Sequence, residues 1–418
     1  MLIEFSVCNF RSFRERQTLS MVAASRLRKK ENTFRVSTPG EILPPLLKVA
    51  VIYGPNASGK SNLLKALATI GYVANREPKV SSLPLPVAPF VFDPALADKP
   101  SEFEVHFVHL GMRYQFDFAA TTNRITREEL RMYPHGREVL LYSRQHKETG
   151  DSYIFGPEFE GDLTLCETWK KLTPPTLLFI SQAVANSSEE LTQLKIPFEW
   201  LSRSSLFLLN GMSGMTFASQ QLAEQHELHS QKIASFLREV DVPISKMRVE
   251  KSDGPKVYGL GLSIQSSGNN GRRAYLTHKT ALGEAELGFD DESEGTKNLI
   301  GFWLPWTTKD PSDTSDRRIL VVDELDSSLH PKIVSALVAK HVESSIPSQL
   351  IFTTHDTHLM DSKLLRRDQI WITDRDMYGA TQLRAIHDFE GREGEDIEKR
   401  YYEGRYRGLP LIRKAING

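Results

Sequence analysis

Residues 47–70 read LKVAVIYGPNASGKSNLLKALATI, and this stretch decides the fold class. Its first seven residues are mostly apolar and rich in β-branched side chains, a pattern that predicts a buried strand. A glycine-rich turn follows at once. After it, Leu63, Leu64, Leu67 and Ala68 recur at the spacing of one face of a helix. A strand, a glycine-rich turn and a helix in direct succession predict an α/β core.

The turn between this strand and helix carries a pattern suited to phosphate. Residues 54–61, GPNASGKS, match G-x-x-x-x-G-K-S in the strand-to-helix context that the motif requires. The glycines let backbone N–H groups wrap a phosphate at the helix N-terminus, where an anion is favoured. Lys60 is predicted to bind the terminal phosphates of ATP as a catalytic residue, and the Ser61 hydroxyl to ligate Mg²⁺. The predicted nucleotide-binding residues are Gly54, Pro55, Asn56, Ala57, Ser58, Gly59, Lys60, Ser61 and Asn62.

A second motif predicts the hydrolytic groups. Residues 319–324 read ILVVDE, four apolar residues followed by two acids. A buried parallel strand would deliver both carboxylates at the carboxyl edge of the sheet, where ligands bind in open α/β folds. Asp323 is predicted to hold Mg²⁺, and Glu324 to orient and deprotonate the attacking water. With the phosphate loop, this pair predicts a Mg²⁺-dependent ATPase.

The residues after the acidic pair resemble those of ABC-type ATPases. Residues 325–331, LDSSLHP, look like the D-loop of that class, which assigns Asp326 to the nucleotide site. His355 ends the next predicted strand, where the resemblance implies a catalytic switch histidine at the γ-phosphate. His358, nearby, is expected to be structural.

Upstream of the acidic pair, residues 293–297, SEGTK, resemble a degenerate ABC signature. In that class the segment opens a helix and binds the γ-phosphate held by the opposite subunit of a head-to-tail homodimer. Backbone amides and the helix dipole explain the preference for Ser and Gly. The resemblance therefore places Ser293 and Gly295 in the nucleotide site, although the same pattern also occurs as a plain helix cap.

Near the start of the chain, residues 9–13, NFRSF, resemble the segment that follows the first strand in SMC, RecF and OLD (overcoming lysogenization defect) proteins. There the arginine lies near the nucleotide, which makes Arg11 a candidate contact. The alternative is a solvated turn arginine between two packing phenylalanines. No clear Q-loop stands out, and Gln182 is the candidate for one.

The chain is organised as an α/β core interrupted by an insert. Residues 2–8 alternate as a half-buried strand, and from residue 317 the predicted strands RILVVD, QLIFTT and QIWIT and a helix opened by Pro331 return to α/β alternation. Such alternation at both ends predicts one parallel sheet. The fold class is thus an α/β P-loop NTPase, an ABC-type ATPase head with a mixed α+β insertion. The predicted domains are 1–75, the N-terminal part of the core, 76–285, the insert, and 286–418, the C-terminal part.

Within the insert the sequence predicts elements of both kinds. Residues 78–100 carry six prolines, which exclude a regular helix or a central strand. Hairpins are predicted at Gly111-Met112 and at Asn270-Gly271. Residues 217–238 are predicted to be helical.

The whole set of motifs is similar to AAA-family ATP-binding proteins of the ABC class, close to the ATPase half of OLD proteins. Residues 396–406, DIEKRYYEGRY, resemble a tail that recurs in the stand-alone bacterial members. The resemblance implies a role in antiphage defence, beside a separate nuclease or toxin as effector. An intrinsic nuclease is not expected, because Asp374 and Asp376 predict a β-turn rather than a metal site.

Composition limits the partners. Among 418 residues, 52 Lys and Arg against 53 Asp and Glu give a formal charge of −1. Nucleic acid could therefore be contacted only through a partner or a local patch, such as the basic run at residues 26–30. The two cysteines, Cys8 and Cys166, exclude a disulfide framework and a cysteine zinc site and suit a reducing cytosol. No apolar run is long enough to span a membrane, so a cytoplasmic protein is expected.

Three functions remain open at this point. The first is an ATP-driven switch, a homodimer or higher oligomer that holds or releases an effector. The second is a DNA-repair clamp of the RecF or SMC kind, which near-neutral charge disfavours. The third is a platform that uses ATP only to join subunits, which the presence of Glu324 disfavours.

Overall fold

A computed structural model describes residues 1–77, 83–188, 192–209, 216, 227–240, 242–251, 272–307, 319–360 and 363–409. The chain divides into two compact units. The first comprises Met1–Leu209, Pro311–Leu325 and Leu337–Gly418, and the second comprises Asn210–Asp310 and Asp326–Ala336. Within the described residues, no helix combines the length and the apolar character needed to cross a membrane.

The strands, in chain order, are β1 (Leu2–Cys8), β2 (Gln17–Ser20), β3 (Thr33–Phe34), β4 (Leu46–Leu47), β5 (Val49–Tyr53), β6 (Ser101–His109), β7 (Met112–Thr121), β8 (Arg124–Met132), β9 (Val139–Lys147), β10 (Gly150–Phe155), β11 (Ser205–Leu208), β12 (Ile244–Lys251), β13 (Arg272–Thr280), β14 (Gly283–Gly288), β15 (Ile319–Val322), β16 (Gln349–Thr353), β17 (Ile370–Arg375) and β18 (Thr381–Ala385). The α-helices are α1 (Lys60–Ala74), α2 (Leu163–Leu172), α3 (Phe179–Ala185), α4 (Lys195–Arg203), α5 (Glu227–Glu239), α6 (Glu294–Thr307), α7 (Pro331–Glu343) and α8 (Ile397–Tyr402).

A six-stranded sheet of the first unit carries the phosphate loop. Its strand order is β11-β15-β16-β5-β17-β18, and all strands are parallel except β18, which runs antiparallel to β17. Every residue of β5, β15 and β16 is buried, as expected for parallel strands covered on both faces. The predicted parallel core, with strands from both ends of the chain, is confirmed, and β11, which lies within the predicted insert, adds a further parallel strand at one edge.

A seven-stranded antiparallel sheet completes the same unit, in the order β10-β9-β8-β7-β6-β1-β2. The predicted first strand and the hairpin near Gly111 are confirmed as β1 and as the β6–β7 pair. Because β6 pairs with β1, with Val105 opposite Phe5, the residues from 101 to 155 belong to the unit that holds the phosphate loop. The boundary drawn at 75/76 from the sequence therefore does not coincide with a boundary between compact units.

One hydrophobic core joins the six-stranded and the seven-stranded sheets of the first unit through α1. Leu63 and Ile70 of α1 lie in the same buried cluster as Phe5 of the antiparallel sheet and Ile52 and Val321 of the parallel sheet. Burial of this apolar face of the helix favours a fixed position for the loop that precedes it.

A buried polar network anchors α3 to the antiparallel sheet. The fully buried carboxylate of Glu128 accepts hydrogen bonds from the hydroxyl of Tyr142 (2.6 Å) and from the backbone N–H groups of Phe179 (2.7 Å) and Ile180 (3.1 Å). Arg144 lies 3.6 Å from the same carboxylate. Glu128 thus accepts hydrogen bonds from two N–H groups in the first turn of α3, which have no partner within the helix.

The second unit contains the antiparallel sheet β12-β13-β14 and the helices α5 and α6. The helix predicted over 217–238 is confirmed from residue 227, and residues 217–226 lie outside the described part. The hairpin predicted at Asn270-Gly271 also lies outside it. Residues 272–280 form β13, which pairs with β12 and β14.

Candidate functional site

The phosphate loop connects β5 to α1 and is held close to the strands behind it. Gly59 has a φ of 107°, which L side chains rarely adopt, and a Cβ atom there would lie 2.1 Å from Oγ1 of Thr381. The buried Lys60 bends back, and its Nζ donates to the carbonyl oxygens of Gly54 (2.8 Å) and Pro55 (3.3 Å). The ammonium charge is therefore held over the loop.

The N-terminus of α1 provides the second element of this anion site. The helix has 15 residues, with Gly59 at its N-cap, no side-chain cap and no acidic residue in its first turn. Its first N–H groups and the positive end of its dipole point into the loop that precedes it. A phosphate can accept hydrogen bonds from these first N–H groups, which a capping side chain accepts in other helices.

Hydroxyl groups of two strands support the loop from behind. Thr373 of β17 donates to the carbonyl oxygen of Tyr53 (3.0 Å), and its Oγ1 lies 2.6 Å from Oγ of Ser58. Thr381 of β18 donates to the carbonyl oxygen of Ser58 (2.8 Å). In the sequence, these threonines indicate only strands, because threonine is common in strands. Their contacts with the phosphate loop were therefore not predicted.

The N-F-R-S-F segment reaches the loop through its serine. Oγ of Ser12 accepts a hydrogen bond from Nδ2 of Asn62 (2.9 Å) and lies 2.8 Å from Oγ1 of Thr381. Arg11 is exposed at a φ of 51°, and its guanidinium lies 5.5 Å from the centre of the Phe10 ring. The segment is thus placed at the loop, and a contact between Arg11 and nucleotide stays a prediction.

The acidic pair follows β15 and is tied to the neighbouring strand. Oγ1 of Thr353, the last residue of β16, donates to Oδ1 of Asp323 (2.7 Å) and accepts the backbone N–H of Glu324 (2.7 Å). Glu324 has a φ of 54° and an exposed side chain. The predicted position of both acids, after a buried parallel strand, is confirmed. Their chemical roles stay predictions.

His355 lies two residues beyond β16 and is exposed. Asp356, the residue after His355, is held by two contacts. The Tyr53 hydroxyl donates a hydrogen bond to the backbone oxygen of Asp356 (3.0 Å), and Oδ1 of Asp356 lies 2.8 Å from Nδ1 of His358. This hydrogen bond raises the pKa of His358. His358 therefore stabilises the turn that follows His355, which is consistent with the structural role expected for it.

The C-terminal tail packs against the same turn. Thr357 donates to the Glu398 carboxylate (2.6 Å) and lies 3.0 Å from the Tyr402 hydroxyl. The rings of Tyr53 and Tyr401 are 6.4 Å apart. The tail thus contacts both the residue before the phosphate loop and the turn after His355, which the sequence did not predict.

Gln182, the candidate for a Q-loop, lies inside α3 and is buried. Among the described residues its Oε1 has no hydrogen-bond partner. Gln182 thus lies within a helix, whereas a Q-loop glutamine would lie in a loop.

The signature-like segment opens α6 in the second unit. Oγ of Ser293 accepts the backbone N–H of Thr296 (3.1 Å), which is the geometry of a helix cap. A Cβ atom on Gly295 would lie 2.6 Å from the backbone oxygen of Ser328 in the D-loop-like segment. Only a glycine allows the two backbones to approach this closely.

The D-loop-like segment of the second unit forms a turn, in which the Leu329 N–H donates to the backbone oxygen of Asp326 (3.0 Å). Asn298 of α6 donates to the backbone oxygen of Ser327 (3.3 Å). The signature-like and D-loop-like segments therefore pack against each other within the chain. The assignment of Asp326, Ser293 and Gly295 to the nucleotide stays a prediction.

Residues 49–154 and 226–361 match the family described as "AAA domain, putative AbiEii toxin, Type IV TA system". The match takes in more than half of the chain, including the phosphate loop, the acidic pair and His355. The chain belongs to this AAA family. Its P-loop α/β fold is that of an ATPase-type domain. No curated protein matches the sequence of this AAA-family chain.

Two solved structures are similar to this AAA-family chain, both at 14% sequence identity. One is an SMC head bound to the C-winged helix domain of ScpA, with a TM-score of 0.41 over 92% of this chain and 97% of that chain. The other is the SMC head domain from Thermotoga maritima, with a TM-score of 0.39 over 92% of this chain and 98% of that chain.

The residues of this AAA-family site fit Mg²⁺ delivered with a nucleotide. The described residues contain no group of three or more His, Cys, Asp and Glu side chains that could hold a metal by themselves. Mg²⁺ is commonly bound by one or two protein oxygens together with substrate phosphates. The Ser61 hydroxyl and the Asp323 carboxylate are oxygen donors of that kind, and the uncapped helix and Lys60 suit the phosphates.

Asp374 of the D-x-D sequence lies at the end of β17, and Asp376 opens the turn that leads to β18, so the predicted turn is confirmed from Asp376 onward. Oδ1 of Asp376 accepts the N–H groups of Tyr378 and Ala380, both at 2.9 Å, and its Oδ2 accepts from Gln382 (3.2 Å). Asp374 caps the N–H of its neighbour Arg375 (2.8 Å). These carboxylate oxygens are engaged in the β17–β18 hairpin, which argues against a nuclease metal site here.

Proposed function

We propose that this AAA-family chain hydrolyses ATP in a Mg²⁺-dependent reaction and uses the hydrolysis as a switch between assembly states. One observation carries the proposal: β15, β16 and β5 are adjacent parallel strands. The acidic pair, His355 and the phosphate loop follow the carboxyl ends of these three strands, so they meet at one edge of the sheet, where ligands bind in open α/β folds.

Each side chain has a distinct task in this proposal. Lys60 and the loop amides bind the phosphates and neutralise their charge. Ser61 and Asp323 would hold Mg²⁺, which supplies further neutralisation of the phosphate oxygens. Glu324 orients the attacking water and accepts its proton, and His355 contacts the γ-phosphate.

The second element of the proposal is a head-to-tail homodimer with two shared sites. Ser293 and Gly295 at the start of α6 would bind the γ-phosphate held by the phosphate loop of the other chain. Two features support it: the amino end of a helix attracts anions, and Gly295 lets the D-loop-like backbone pack directly beside it. ATP would then stabilise the dimer by mass action, because it binds fully only to the assembled form.

Mixing two defective chains tests the shared sites. In a heterodimer of Ser293→Arg and Lys60→Ala chains, one interface carries neither lesion, so hydrolysis should return to about half the wild-type rate per dimer. Each variant alone should be inactive. A heterodimer that is formed, as checked by differential tagging, and still shows no hydrolysis argues against shared sites.

We further propose that the switch controls a separate protein. The family description names a putative toxin of a type IV TA (toxin–antitoxin) system. A defence function with a nuclease or toxin as effector is consistent with that description. Effector binding should depend on the ATP-bound dimer. Affinity purification from native cells should recover the effector with Glu324→Gln, which holds ATP, and not with Lys60→Ala. Equal recovery at equal expression would leave only a constitutive scaffold.

A further inference from the structure

Thr353 occupies a position that none of the motifs includes. It is the last residue of β16, it is fully buried, and β16 lies between the strand of the acidic pair and the strand of the phosphate loop. One residue, Thr354, separates it from His355. Thr353 therefore stands at the centre of the edge where the predicted reactive groups meet.

Its single hydroxyl group contacts both acids of the pair. The O–H donates to Oδ1 of Asp323 (2.7 Å), and a lone pair accepts the backbone N–H of Glu324 (2.7 Å). The backbone oxygen of Thr353 also accepts the N–H of Leu325 (3.0 Å). Three consecutive residues after β15 are thus tied to one residue of β16.

Each bond has a definite consequence. The bond to Asp323 restricts the rotation of that carboxylate, which is one of the proposed magnesium ligands. The bond to Glu324 stabilises a backbone conformation, φ of 54°, that is unfavourable for a residue with a side chain. Without it the chain can relax, and the carboxylate of Glu324 then changes its direction.

We propose that Thr353 is a positioning residue that orients the magnesium carboxylate and the general base together and ties both to the strand leading to His355. The inference rests on the proposed function for its effect on hydrolysis, whereas its effect on Mg²⁺ binding does not require turnover. Outer hydrogen-bond partners of metal ligands commonly change metal affinity or activity by about 10–100-fold when they are removed.

Two substitutions separate the hydroxyl from the shape of the side chain. Thr353→Val keeps the volume and the β-branch but removes both hydrogen bonds, and Thr353→Ser keeps the hydroxyl. Thr69→Val serves as a control: Thr69 is also buried, but its hydroxyl donates to the backbone oxygen of Lys65 within α1 (2.8 Å). Should Thr353→Val not fold, Thr353→Ala carries the test.

Two measurements are needed, and a thermal melt accompanies both. The first is the binding of a fluorescent ATP analogue as a function of Mg²⁺ concentration. The second is the steady-state kcat and KM for ATP. For Thr353→Val we expect a Mg²⁺ requirement about 10-fold or more higher and a kcat about 10-fold or more lower, with nucleotide affinity at saturating Mg²⁺ within about 3-fold of wild type. Thr353→Ser and Thr69→Val should stay within about 3-fold on every readout.

The outcomes distinguish this inference from the proposed function. If Thr353→Val only lowers the melting temperature, or behaves like Thr353→Ser, Thr353 has a structural role alone and the inference is wrong. If the wild type binds Mg²⁺ and nucleotide but hydrolyses nothing, the proposed hydrolysis fails. The Mg²⁺ titration then still decides the role of Thr353.

Discussion

Replacing Gly59 by alanine should disturb the phosphate loop more than its small size suggests. The new Cβ would lie 2.1 Å from Oγ1 of Thr381, 2.8 Å from its Cγ2 and 2.9 Å from Oγ of Ser12. Thr381 cannot easily move, because its hydroxyl is bonded to the backbone oxygen of Ser58 and contacts Ser12. The loop backbone must therefore shift, and a φ of 107° is unfavourable for alanine in any case.

The conformational cost alone is about 1–3 kcal/mol for a sparsely populated region. With the overlap we expect a total destabilisation of about 2–4 kcal/mol, in the range of mutations that strain a special backbone position. If half of this destabilisation, about 1–2 kcal/mol, acts on the phosphate-binding form of the loop, ATP affinity decreases about 5- to 30-fold, because 1.4 kcal/mol corresponds to a factor of ten.

Titration with a fluorescent ATP analogue and thermal melts measure the two effects. Gly150→Ala is the matched control, because Gly150 has a similar φ of 114° with no heavy atom within 4 Å of the added Cβ. Gly150→Ala should carry the conformational cost without the overlap, so it should lower the melting temperature and leave ATP affinity unchanged. Adding Thr381→Ala to Gly59→Ala removes the closest overlaps and should restore part of the affinity. Wild-type binding by Gly59→Ala, or an equal loss with Gly150→Ala, would refute the reasoning.

Three further predictions concern charged groups. Burial raises the pKa of Asp117 from 3.8 to about 6, so the folded chain binds this proton more tightly than the unfolded chain does. Its stabilising effect is complete below about pH 4 and is lost, by about 3 kcal/mol, as the pH rises through 6. Urea midpoints between pH 4 and 7 should change less with pH in Asp117→Asn. Glu128→Ala leaves Arg144 and two helix N–H groups without the carboxylate, so it should cost about 3–5 kcal/mol, whereas the exposed Glu138→Ala should cost under about 0.5 kcal/mol in melts. Lys60→Ala should weaken ATP binding at least about 10-fold by equilibrium titration, since a charge-assisted bond contributes about 1.5–3 kcal/mol.

The sequence predicted those elements whose signal is local. The strand β5, the phosphate loop and α1 follow from consecutive residues, and so do the buried strand before Asp323 and the helix that begins at Pro331. Each combines a strong periodic or glycine signal with a turn of fixed chemistry. The hairpin at Gly111 is local for the same reason.

Features that depend on pairing between distant residues were not predictable from one sequence. The strand β6 has the alternating pattern of a half-buried strand, but nothing in it specifies β1 as its partner rather than a sheet of its own. The domain boundary at 75/76 was placed on the proline-rich connection and so separated two strands of one sheet. The hydroxyl contacts of Thr353 and Thr381 are likewise invisible, because threonine is common in strands without such roles.

Phosphate release from Mg²⁺-ATP by the wild type and by Glu324→Gln tests the proposed hydrolysis most directly. Glutamine keeps the size of the side chain and the backbone bond to Thr353 but cannot accept a proton. We predict Mg²⁺-dependent release by the wild type, a rate about 10²–10⁴-fold lower in Glu324→Gln, and ATP affinity unchanged within a few-fold. Hydrolysis by Glu324→Gln at the wild-type rate, or no Mg²⁺-dependent release by the wild type, would contradict the assignment of this edge of the sheet as an ATP-hydrolysing site.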